Sequence, residues 1–179
     1  MHRLPHPILS PPAKLVCKIP IQLYTVGGHV QLTKHTDYGL RVLFYLAIQS
    51  KPRVSTEEIA AVFGIARNHL SKVVAKLAGN GIVESARGKG GGIRLRSAPK
   101  EICVGDVVRL LEGETFLVNC NRPLCPVLPA CRLRQVMQEA QRACFAVFDS
   151  YSLHDLTSGR GEALRTLLNV SVPANGTGA

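Results

Sequence analysis

The sequence predicts a mainly α-helical protein built on a winged helix-turn-helix, with a small β-hairpin as the wing and a long C-terminal helix for dimerisation. Three observations predict it. A capped amphipathic helix beginning at Ser55 is followed, across Gly64, by a second helix bearing basic and amide side chains. A glycine-rich basic segment, Arg87-Gly-Lys-Gly-Gly-Gly92, joins two short stretches of strand-like pattern. The positive charge is also concentrated there: of a formal net charge of +10, Gln31 to Lys100 carries twelve Lys or Arg against four Asp or Glu, whereas Glu101 to the end carries seven against eight. Such a block points to a polyanionic partner.

The elements follow in order. Residues 1–29 are rich in proline and show neither a 3.6-residue period nor strict alternation, which predicts a disordered extension. Leu40, Leu43, Phe44 and Ala47 mark one face of a helix over Lys34 to Gln49, ended near Lys51-Pro52. Ser55 and Glu58 read as a capping box opening a helix whose buried face is Ile59, Val62 and Phe63. After Gly64, the stripe Leu70, Val73, Val74 and Leu77 predicts a second helix, stopped by Gly79-Asn80-Gly81. Ile82 to Ser85 and Ile93 to Leu95 read as the wing's strands. Val104 to Glu112 is a short helix with Val107, Val108 and Leu111 inward, closed by Gly113. From Arg132, Val136, Ala140, Ala143 and Val147 repeat at spacings of four, three and four, the pattern of one helix lying along another. The predicted divisions are thus an extension (1–29), a DNA-binding domain (30–113), a cysteine loop (114–131), a dimerisation helix with its following segment (132–168) and a loose tail (169–179).

A recognition helix presents its N-terminal residues to base edges and phosphates first, which nominates Arg67, Asn68, His69, Ser71 and Lys72. The wing adds Arg87, Lys89 and Arg94, with glycines that let its backbone lie close to the sugar-phosphate surface. The alternative for all of them is a solvated basic face. The glycine run is not a P-loop, because it lacks Gly-Lys-Ser/Thr and leads into a strand. No nucleophile with a matching acid-base partner stands out, and His35 with Asp37 reads as a capping or surface pair, so the chain is not expected to be an enzyme.

Cys120, Cys125 and Cys131 are separated by four and five residues, with Pro123, Pro126 and Pro129 stiffening the loop between and after them. Soft thiolates select an iron-sulfur cluster, zinc or cuprous copper. The loop offers neither a C-x2-C pair nor a nearby histidine, which favours a labile cluster (2Fe-2S or 4Fe-4S) over structural zinc; unligated core cysteines are the third reading. Cys144 is expected to pack on the long helix, and Cys17 and Cys103 carry no pattern. With no apolar run near the roughly eighteen residues of a membrane span and no signal-peptide pattern, the expected location is the cytoplasm and no membrane partner is expected.

Several of these strings together, Gln31-Leu-Thr-Lys-His-Thr-Asp-Tyr-Gly-Leu-Arg41, Arg67-Asn-His-Leu70, Ala86-Arg-Gly-Lys-Gly-Gly-Gly-Ile-Arg94, Gly105-Asp-Val-Val108, the cysteine loop and Tyr151-Ser-Leu-His-Asp-Leu156, resemble the nitric-oxide-sensing NsrR repressors, in the winged-helix group that also contains the IscR cluster regulators. The resemblance spans about Val30 to Leu168. It implies a homodimeric repressor of double-stranded operator DNA whose iron-sulfur cluster is nitrosylated or lost in nitric oxide. It also implies a fourth ligand, Asp37, donated by the partner subunit. IscR-like chains carry a histidine soon after the third cysteine, and Arg132 to Gln138 contains none, which favours the nitric-oxide sensors. The alternatives are a regulator of iron-sulfur biogenesis or general redox state, and a zinc or thiol enzyme. Because the resemblance begins at Val30, residues 1–29 are expected to be dispensable and the start site to be misassigned.

Overall fold

A computed structural model describes residues 31–88, 90–113, 120–121 and 123–170, and from Leu32 onward these belong to one unit. The expected extension, with Cys17, lies outside the described residues, as does Lys89. Seven α-helices and one two-stranded antiparallel sheet are present among the described residues. The mainly helical winged-helix prediction is borne out.

Helix α1 (Lys34–Ile48) is the central element, packing on the helices and strand introduced below. Thr33 caps it by accepting from the Thr36 amide at 3.3 Å, a signal the sequence reading passed over. Its end comes earlier than Pro52 would require. Gln49 is extended (ψ 145°), and the Arg165 Nε donates to the Ile48 carbonyl at 2.8 Å, closing the last turn from 117 residues away.

Helix α2 (Thr56–Phe63) starts where Ser55 predicts: the serine hydroxyl accepts from the Glu58 amide at 3.1 Å. The other half of the expected capping box gives way to tertiary partners. Glu58 accepts instead from Tyr45 Oη and Lys51 Nζ, both at 2.9 Å. Burial and this bond push the Tyr45 hydroxyl up to about 12. Of the expected buried face, Ile59 is buried and Phe63 packs against the core, but Val62 is 36% exposed and Ala60 takes its place inside. Gly64 sits in the left-handed region (φ 62°), allowing the chain to turn at once into α3 (Arg67–Gly79). There Leu70, Val73, Val74 and Leu77 are all buried, as their spacing predicts.

The wing is β1 (Val83–Ala86) paired with β2 (Gly92–Leu95), in the register Glu84 opposite Arg94. Val83 and Ile93 face the core, which turns Glu84 and Arg94 outward. A third segment supports the hairpin: Val54 exchanges both backbone bonds with Ile93, at 3.0 and 2.7 Å. Helix α4 (Val104–Glu112) buries Val107, Val108 and Leu111 as expected.

Helix α5 (Arg132–Asp149) contains no buried residue, although it is the longest helix described. The chain then returns to the core. Val104 and Leu153 bond backbone-to-backbone with Tyr151 and Ile102, and Ser152 opens α6 (Leu153–Thr157) with a complete capping box to Asp155. Helix α7 (Gly161–Leu167) follows, and Val170 is buried at 8% exposure, so the core includes a residue assigned to the loose tail. Residues 171–179 lie outside the described set. No described helix is long and apolar enough to cross a membrane.

Candidate DNA-binding face and cysteine loop

The core stripe of α3 fixes the opposite face outward. Arg67, Asn68, His69, Ser71 and Lys72 are all exposed. Ala66 at the N-cap offers no side-chain acceptor to the first amides of α3. Arg67 is ion-paired with Glu57 of α2. In the wing Arg87 is exposed, and Gly88 and Gly90 take positive φ (93° and 82°), a backbone that side-chain-bearing residues rarely adopt. Arg94 is not free: its Nε donates to Glu84 Oε2 at 2.8 Å, and Arg53 approaches the same oxygen at 3.4 Å. The Arg94 bond holds the Glu84 carboxyl below its ordinary range. Arg53, absent from the sequence-based set, also donates to the Gly92 carbonyl at 3.3 Å and so ties the wing to the segment before α2.

The cysteine loop runs straight into α5. Three successive backbone bonds coil it, from the Cys125 amide to the Cys120 carbonyl (3.0 Å), Leu128 to Cys125 (3.1 Å) and Cys131 to Leu128 (3.4 Å). All three cysteines are free and half-buried. Cys131 is the N-cap of α5. Among the described residues, no three His, Cys, Asp or Glu side chains converge closely enough to hold a metal. The donor set nevertheless fits an iron-sulfur cluster in kind: three available thiols on one compact coil. Asp37 is not brought to these cysteines within the chain. It lies in the first turn of α1, where Arg41 Nε donates to both of its oxygens at 3.0 Å.

The far end of α5 is locked to α4. Arg109 makes a two-pronged bond to Asp149 (2.6 and 2.7 Å), and its guanidinium lies over the Phe145 ring at 4.6 Å. The arginine holds the Asp149 carboxyl low. Gly105 makes room for this pair, since a Cβ there would overlap the Asp149 carboxylate. Cys103, at the α4 N-cap, only reaches the Asp149 carbonyl at 3.9 Å, and Cys144 is exposed.

A family model for Rrf2, described as an iron-dependent transcriptional regulator, matches residues 32–159. The chain belongs to the Rrf2 family. Among solved structures, CymR, the global cysteine regulator of B. subtilis, is 30% identical, with 72% of this chain and 97% of that one covered and a TM-score of 0.53. IscR of T. potens is 28% identical, covering 75% and 91%, with a TM-score of 0.59. The oxidized form of Staphylococcus aureus CymR is 28% identical, covering 72% and 96%, with a TM-score of 0.56. The Rrf2 span takes in the winged helix, the cysteine loop, α5 and α6. This Rrf2 chain is thus similar both to a cysteine regulator and to IscR.

Sequence reasoning missed Arg53, Glu57 and Glu84 as parts of the basic face. The one local signal was the alternation that sets Glu84 on the same side of the hairpin as Arg94.

Proposed function

We propose that this Rrf2 regulator is a homodimeric repressor that binds operator DNA through α3 and the wing, holds an iron-sulfur cluster on Cys120, Cys125 and Cys131, and releases DNA in response to nitric oxide. The observation that carries the reading is the continuity of the cysteine coil with α5, whose outer stripe is uncovered. Leu133, Val136 and Val147 are 58%, 53% and 58% exposed. With Ala140 and Ala143 they recur at spacings of three and four, the seam of a two-helix coil, and a second copy of α5 is the natural cover.

In the dimer, Cys120, Cys125 and Cys131 would hold the cluster together with the partner subunit's Asp37, released from Arg41, and the weak carboxylate ligand would leave one iron open to a diatomic gas. The protein's part is mechanical: the proline-stiffened coil fixes the start of α5, and the Arg109–Asp149 bond carries its orientation to the winged helix. Release requires that the loaded coil favour the DNA-competent spacing of the two α3 helices over the alternative. A hundredfold loss of affinity corresponds to roughly 2.7 kcal/mol.

The test is anaerobic purification followed by absorption spectroscopy, then titration with nitric oxide while operator binding is followed in parallel. A brown protein whose absorption is lost in Cys120→Ala, Cys125→Ala and Cys131→Ala, and whose DNA affinity falls with nitric oxide, is the expected result. A colourless protein with stoichiometric zinc overturns the cluster, and loss of colour without loss of DNA overturns the sensing step. The likeness to IscR and CymR favours, as a second reading, a regulator of cluster or thiol status. Release by iron limitation or oxidants ahead of nitric oxide would select it.

A further inference from the structure

Two of the four acidic residues in the basic block between Gln31 and Lys100 are parked on arginines of the surfaces that should face DNA. Glu57 of α2 holds Arg67, the first residue of α3. Glu84 of β1 holds Arg94 of β2 and is shared with Arg53. These pairs do little for the fold: they lie at the surface, with Arg67 and Arg94 side chains 70% and 53% exposed, and exposed pairs contribute little to stability. Yet each carboxylate occupies a guanidinium that could otherwise pair with a phosphate.

We propose that Glu57 and Glu84 are built-in competitors for the DNA phosphates, positioning residues that hold Arg67, Arg94 and Arg53 away from the backbone and lower sequence-independent affinity. The inference rests on α3 and the wing being the DNA-binding surface. Its physical basis is substitution: an arginine reaching a phosphate must first leave its carboxylate, which weakens binding to any duplex. A sensor gains from this, because a site held mainly by backbone charge would stay occupied after its geometry changed, whereas a face with its own counter-charges depends on correct docking of the two recognition helices.

The experiment uses the full chain and a random-sequence duplex, with binding followed by fluorescence anisotropy over a series of salt concentrations. Glu84→Gln keeps an acceptor in place and removes the charge, and Glu57→Gln does the same on α2. Each is expected to tighten binding about 1.4- to fivefold, the range of an exposed ion pair. Each should also steepen the log K against log salt slope by about 0.9 for every arginine newly placed on a phosphate. In the Arg53→Gln, Arg94→Gln background, the gain from Glu84→Gln should disappear. A purely structural role would leave the salt slope unchanged. An unchanged slope, or a gain that persists without the arginines, overturns the inference while leaving DNA binding by α3 and the wing intact. Failure of the unaltered chain to bind any duplex overturns both.

Discussion

Replacing Gly92 by alanine should be among the most damaging single-methyl changes in this protein, and its cost can be worked from the wing's geometry. Gly92 has φ +133°, in a region left almost entirely to glycine, and strain there costs on the order of 1–3 kcal/mol. The added Cβ would stand 2.6 Å from the Val54 carbonyl oxygen and 2.9 Å from its carbon, main-chain atoms that no rotamer change can move. Relief requires Val54 to part from β2, losing the two bonds it exchanges with Ile93, at about 1 kcal/mol each. The expected loss is about 3–5 kcal/mol, a large share of an ordinary domain's stability. Gly88 is the matched control: φ is also positive (+93°), but no atom lies within 4 Å of its Cβ position, so Gly88→Ala should cost only the strain, about 1–3 kcal/mol. Urea denaturation of the two variants measures the difference directly, with equal slopes showing that the transition itself is unchanged. If Gly92→Ala is no less stable than Gly88→Ala, the contact between β2 and the Val54 segment does not account for this glycine.

Gly105→Ala should displace the Asp149 carboxylate from Arg109 and loosen α5 on α4. Global stability should fall by about 1 kcal/mol or less because the pair is exposed, while hydrogen exchange in α5 should rise well above that of α3; equal protection in variant and parent would refute the lock. Val136→Glu or Val147→Glu should convert the dimer to monomers in sedimentation, since each places a charge on the uncovered stripe of α5; a dimer unaffected by both would move the interface elsewhere. Asp149 and Asp155 are held below their usual range, by Arg109 and by the Ser152 cap respectively. Their contribution is therefore complete above the unfolded carboxylate value of about 3.9 and is lost as pH falls through the lower folded values. The thermal midpoint should drop below about pH 4, and Asp149→Asn with Asp155→Asn should flatten that drop; an undiminished acid transition in the double variant would assign it to other groups.

What the sequence determined alone was local and periodic. Ser55 and Gly64 bound α2, the stripe from Leu70 to Leu77 sets the inward face of α3, and Gly113 closes α4, because caps and 3.6-residue spacing act within a few residues of themselves. The same locality placed the wing, with β1 shifted by one residue and β2 starting one residue earlier, and it placed α5 together with its apolar stripe. The Ser152–Asp155 box was legible in the same way, as Ser-x-x-Asp, but stood in the reading only as part of a resemblance. The tertiary structure decided which groups meet. Glu58 leaves its own helix start for Tyr45 and Lys51, Arg165 closes α1, Val54 becomes the hairpin's third segment, and Arg109 finds Asp149 forty residues on. Periodicity states which face of an element is apolar and is silent on which element lies opposite. Long charged side chains have several partners of nearly equal energy within reach, and only the packed backbone selects among them. For that reason the basic face could be read from composition, whereas the carboxylates lodged within it came into view only once α2 lay beside α3 and β1 beside β2.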